Sequence, residues 1–179
     1  MEVSFTKRFL LDHGVSERFQ DKYIEDFEHI RENQSHSFIG YLSRLFVDKR
    51  PSNLWLQGSP SSDAELMGAL VVREALFHSL EAFMLRPGKV QDALYAWWQG
   101  ESQLWMELTL AYVVVFNLEN LVLSSQKEAA ALTKLFLLRE DLGRSIVVIS
   151  SASSNALSDT FGEALGCAVR RFQQIDCPG

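Results

Sequence analysis

Two stretches of this chain have the layout of a phosphate-handling site, and both lack the residues that would do the chemistry. The first is Gly58-Ser59-Pro60-Ser61-Ser62-Asp63-Ala64-Glu65, placed where a short strand would pass into a helix. Backbone amides in such a turn, together with the helix N-terminus, point at an anion. A working cradle reads G-x-x-x-x-G-K-[ST]: the second Gly makes the turn, Lys meets the phosphates and the hydroxyl meets Mg²⁺. Here the first Gly remains, but the other three positions hold Asp63, Ala64 and Glu65. Two acids where a polyphosphate would lie repel it. Taken alone, the octet is better read as an ordinary strand-to-helix loop.

The second stretch is residues 111–123, AYVVVFNLENLVL. Its run of β-formers reads as a strand buried on both faces, as in a parallel sheet with helices above and below. It ends in Asn117-Leu118-Glu119-Asn120, where a nucleotide hydrolase of this layout carries the Walker B acids for Mg²⁺ and water. Asn117 is neutral and Leu118 apolar. The strand is intact while its chemistry is gone.

Other candidate chemistry is thin. Arg31 with His36, and Arg73 with His78, match the R-x-x-x-x-H spacing of HEPN ribonucleases. Such pairs arise readily by coincidence, and the second falls in a helix expected to pack on a sheet. No Ser/His/Asp set or metal-ligand spacing stands out, and the isolated His13 and His29 read as surface residues. Cys167 and Cys177 form no metal-type cluster and read as buried or incidental thiols. Trp97 and Trp98 close an amphipathic helix, so one can pack inward while its neighbour points out to a partner. Two half-buried core residues are the equal alternative.

The elements that would position these residues alternate along the chain. Residues 1–26 read as an arm with a short helix at 17–27, and 37–47 (SFIGYLSRLFV) has amphipathic helical spacing. Asp48-Lys49-Arg50-Pro51-Ser52 breaks it. Strands are expected at 53–57 and 80–85, with a helix at 64–78 between them that buries Leu66, Leu70, Val71, Leu76 and Phe77. Pro87 suits the first turn of a helix through 89–98, which stops at Gly100. After the central strand, Ser124 or Ser125 caps a helix at 126–142 whose Ala129, Leu132, Leu135, Phe136 and Leu142 share a face, with Gly143 as its stop. Residues 146–149 (IVVI) make another buried strand, followed by a helix at 157–169 and a last short strand at 171–175. Such alternation predicts an α/β, three-layer fold with a mainly parallel sheet of about five strands. The 111–117 and 146–149 strands should be adjacent and central.

Bulk properties fit one globular domain of 179 residues, with 47% hydrophobic and 22% charged content. A net charge of −6 counts against DNA as a partner, although a local basic patch would survive it. No membrane span or signal-peptide region is evident, so a cytoplasmic protein is expected.

The order of elements resembles the AAA+ domain of the bacterial replication initiator DnaA and its regulator Hda, with DnaC-type helicase loaders close behind. The similarity rests on the 53–65 strand and loop, the 111–120 strand and the sensor 1 position at Ile149-Ser150-Ser151. Two further segments add to it. Phe27-Glu28-His29-Ile30-Arg31-Glu32-Asn33 looks like the family's entry motif, and Ala168-Val169-Arg170-Arg171-Phe172 looks like its A-S-R-L/F segment. The resemblance divides the chain into a 1–26 arm and a degenerate AAA+-like domain at 27–179 without the helical lid. It implies no nucleotide cofactor and no metal, given the lost motifs. It implies a protein partner, a replication ATPase of similar fold, with a second copy of this chain as the alternative. Arg171, with Arg170 beside it, matches the arginine that reaches a neighbouring subunit; a solvated basic pair at a helix end is the plainer reading. Val3-Ser4-Phe5 lacks the leading Gln of the clamp motif of Hda. The expected role is a non-hydrolysing interaction protein in replication initiation. The rival readings are an ATP-dependent loader with an unusual loop and a DNA-binding accessory protein.

Overall fold

The computed structural model describes residues 6–22, 32–58, 63–100 and 102–177. Helix α1 (Lys7–Asp12) and a single 3-10 turn (Glu17–Phe19) lead to α2 (Glu32–Leu42), which loosens into a π turn at Ser43–Val47. Strand β1 (Leu54–Gln57) then passes to α3 (Asp63–Phe77), β2 (Ala82–Leu85), α4 (Pro87–Trp98) and α5 (Ser102–Leu110). Next come β3 (Val113–Asn117), α6 (Gln126–Asp141), β4 (Ser145–Ile149), α7 (Ser154–Phe161), α8 (Glu163–Val169) and β5 (Gln173–Asp176).

Among the described residues the sheet has five strands in the order β2-β3-β4-β1-β5, every pairing parallel. The expected sheet is therefore present, with β3 and β4 adjacent and β4 at its centre. Side chains alternate between faces along each strand. Leu54, Leu56, Val113, Val115, Val147 and Ile149 join α2, α3 and the N-terminal segment in one core, and Trp55, Val114, Phe116, Ile146 and Val148 join α4–α8 in the other. Gly68 lets α3 lie close on the sheet: a Cβ there would fall 2.8 Å from Ile149 Cδ1.

The N-terminal segment covers the outer edge of β2. Leu10 and Val15 are buried, and the Met84 amide donates to the His13 carbonyl at 2.9 Å. Gly14 has φ +85° and its Cβ would lie 1.9 Å from the Met84 carbonyl oxygen, so only glycine fits the approach. Arg73 of α3 donates to the Phe19 and Lys22 carbonyls, clamping the same segment from the helix side.

Several elements differ from expectation. The chain at 17–27 shows one 3-10 turn before the undescribed residues 23–31, which include most of the Phe27–Asn33 segment. The 157–169 helix is two helices, because Gly162 takes φ +95° between α7 and α8. Helix α5 was not anticipated. Phe77, the last residue of α3, and Leu142, the cap of α6, are half exposed.

Candidate functional site

The carboxyl ends of the strands carry both stretches singled out in the sequence. Gly58 ends β1 and its amide donates to the Ser150 carbonyl at 3.3 Å, while Ser59, Pro60, Ser61 and Ser62 lie outside the described residues. Asp63 opens α3, with Glu65 in the same first turn. Acids at that position satisfy the positive helix end that would otherwise attract an anion. Glu65 is further engaged: Asn117 Nδ2 donates to its carboxylate at 2.8 Å, and Arg18 of the N-terminal segment forms an ion pair with it. Ala64, at the lysine position, is fully buried. The two sequence stretches thus meet in space, joined through Glu65 and Asn117.

The end of β3 is closed in the same way. Asn117 is buried and its Oδ1 accepts from the Glu119 amide at 3.0 Å, while Leu118 is buried in the opposite core. The Glu119 carboxylate accepts from the Ser151 amide at 2.7 Å and from the Ser151 hydroxyl at 2.7 Å, tying β3 to the sensor 1 position after β4. Neither Arg18 nor Glu119 was singled out from sequence. Arg18 carries no local signal, being 47 residues from its partner. Glu119 was visible only as one letter of the N-L-E-N turn. Leu11, Ser16, Glu17, Arg18, Glu65 and Arg86 line an open concavity of about 510 Å³ at this edge.

Arg170 and Arg171 lie at the opposite, amino end of the strands, just before β5. Arg171 pairs with Glu140 at 3.0 Å, and Glu140 also accepts from Asn53 Nδ2 at 3.2 Å. Arg170 donates to the Ser158 hydroxyl at 3.2 Å. Beneath them Arg139 is wholly buried and donates to the Leu108 carbonyl and, at 2.6 Å, to the Ser145 carbonyl. Burial, with Arg144 nearby, lowers its proton affinity below that of an ordinary guanidinium. Burial also pushes the Tyr41 hydroxyl well above the usual tyrosine range, with Tyr112 adding to the effect. Tyr41 donates to the Ser52 carbonyl at 3.2 Å and Tyr112 to the Leu45 carbonyl at 2.7 Å.

The tryptophan pair divides as the helix period requires. Trp97 is half-buried and stacks on Trp105 of α5 with centroids 5.0 Å apart, whereas Trp98 is 55% exposed. Arg73 and His78 are committed to structure, Arg73 to the N-terminal segment and His78 to Glu74 at 3.3 Å and the Phe46 ring. Among the described residues no group of three His, Cys, Asp or Glu is placed to hold a metal, and no helix is long and apolar enough to cross a membrane.

Three-dimensional likeness is strong where sequence likeness is weak. No protein-family model matches the chain, and no curated protein matches it by sequence. A replication initiator DnaA bound to AMPPCP and single-stranded DNA superposes with a TM-score of 0.74 at 11% identity, over 91% of this chain and 50% of that one. A DnaC helicase loader superposes with a TM-score of 0.73 at 13% identity, over 90% of this chain and 99% of that one. Domain III of the Thermotoga maritima DnaA gives 0.72 at 13% identity, over 91% and 68%. The fold is the one shared by these DnaA and DnaC structures. The chain spans about half the length of the first of these DnaA proteins, and nearly the whole of the loader structure.

Proposed function

We propose that this chain is a non-hydrolysing, AAA+-like interaction protein of replication initiation, cytoplasmic, that docks on a related ATPase such as an initiator or a helicase-loading factor. The observation that carries the reading is Glu65. It stands where the Mg²⁺-binding hydroxyl would be, and its carboxylate is already engaged by Arg18 and by Asn117 at the Walker B position. A hydrolase needs a cation at the lysine position and acids at the strand end. This chain has buried Ala64 and the neutral Asn117 there instead. The process is suggested by the replication proteins that share the fold, which is support by analogy.

The mechanism is occupancy. One edge of such a subunit is remade so that nucleotide chemistry is lost, while the far edge keeps Arg171, with its side chain 66% exposed and paired only with Glu140 among the described residues. In a heterologous contact, Arg171 exchanges Glu140 for a partner group, and the contact stops there because the remade edge offers nothing to the next subunit. Calorimetry with Mg-ATP is expected to show no binding in the micromolar range, and micromolar affinity would overturn the reading. Changing Asp63→Gly, Ala64→Lys and Glu65→Thr together should still give no turnover, because Asn117 and Leu118 remain. Capture from native cells should bring down a replication ATPase, with Arg171→Ala weakening the complex about thirtyfold. Capture unchanged by both Arg170→Ala and Arg171→Ala would move the interface elsewhere.

A further inference from the structure

A groove runs between α4 and the start of α6, on the sheet face away from α3. Leu94, Tyr95, Trp97, Trp98, Lys127 and Ala131 supply most of its lining, around a cavity of about 240 Å³. Tyr95 and Trp98, one turn apart on α4, are 63% and 55% exposed, and Val122 beyond them is 70% exposed. Gln91, one turn earlier on α4, donates to the Val122 carbonyl and joins α4 to the chain leading into α6. Such a cleft takes one large apolar side chain.

The charges around it are uneven. The ammonium of Lys127 sits 4.4 Å from the Trp98 ring centroid, and that of Lys134 sits 5.7 Å from Trp97. Neither lysine has a carboxylate partner among the described residues. The acids nearby are occupied: Asp92 pairs with Lys89 at 3.4 Å, and Glu128 accepts from the Ser124 amide at the α6 cap. An apolar slot beside two unpaired cations is complementary to an apolar side chain flanked by carboxylates. Nucleic acid would also bring negative charge and stacking surfaces, but a run of backbone phosphates needs a run of cations, and the two lysines here match one or two carboxylates instead.

We infer that the α4/α6 groove is a docking site for an acidic peptide segment of a partner protein, with one aromatic or leucine anchor inserted between Tyr95 and Trp98 and carboxylates on Lys127 and Lys134. The inference does not depend on the replication reading, since the peptide's chemistry defines the partner. Short random peptides displayed on phage and selected on the immobilised full chain are expected to converge on an apolar anchor with neighbouring Asp or Glu. A fluorescein-labelled synthetic copy should lose about thirtyfold in affinity to Trp98→Ala. The double variant Lys127→Glu, Lys134→Glu should instead select Lys- or Arg-flanked peptides. Thermal melts of these surface variants should match the parent. Three outcomes would sink the idea: no selected peptide that Trp98→Ala releases, selection of basic-flanked peptides by the parent chain, or labelled oligothymidylate binding the groove where the peptides do not.

Discussion

The two ends of the sheet are each closed by a guanidinium, in opposite ways. At the carboxyl ends Arg18 reaches in from the N-terminal segment to Glu65, with its side chain 59% exposed beside an open concavity. At the amino ends Arg139 lies beneath the surface, facing only backbone carbonyls and other buried polar groups. An exposed ion pair contributes about 0–1 kcal/mol. A buried guanidinium that donates to backbone carbonyls of two elements is far harder to replace. The carboxyl end is therefore closed by contacts that are easily gained or lost. The far end is held by a network in which Arg139, Asn53, Glu140 and Ser145 each serve more than one element.

The largest effect should come from Arg139→Ala. It opens a cavity and takes the guanidinium away from the Leu108 and Ser145 carbonyls, so a loss of about 3–5 kcal/mol is expected in urea unfolding. A loss below about 1 kcal/mol would erase the contrast between the two ends.

A middle-sized effect is expected at alkaline pH. Burial, with Asp63 and Asp176 adding, pushes the Cys177 thiol from 9.0 up to about 12, and this thiol lies under the first turn of α3. A folded-state pKa above the unfolded one means the native state binds more protons, so the stability is whole below pH 9 and is lost as pH rises towards 12. Tyr41, at the other end, has the same sign but begins to titrate only above its ordinary 10.0. Stability should fall by at most about 1.4 kcal/mol per pH unit for each group. The Cys177→Ala variant should delay the onset, as read by pH-dependent melting. An unchanged onset would show that the carboxyl end is not the first to loosen.

The smallest effect belongs to Arg18→Ala, expected to cost less than about 1 kcal/mol. A loss as large as that of Arg139→Ala would make the carboxyl edge as structural as the far one.

How much of this was legible depended on whether a signal was local. The buried strands announced themselves as apolar runs, and their spacing placed Gly58, Asn117 and Ser151 at one edge. Arg139 was also visible in principle: it falls three residues after Phe136 on the stripe that includes Leu132 and Leu135, a charge on an apolar face. Helix α5 went unread because its apolar residues at 104, 106, 108 and 110 alternate, so nine residues give no clear helical period. The break at Gly162 was written in that glycine but masked by apolar residues on both sides. The Arg18–Glu65 contact could not be read, because its partners come from separate elements and only the folded sheet edge brings them together.

The bond from Met84 to His13 has a further consequence. Strand β2 is the last strand on its side of the sheet, and an open edge is a template for another extended chain. The N-terminal segment shields that edge, and Gly14 is what allows it to come close enough. The same segment carries Arg18. Peeling it back would expose a strand ready to pair and a carboxylate stripped of its cation in one movement, so adhesion along the edge and charge at the carboxyl ends of the strands would change together.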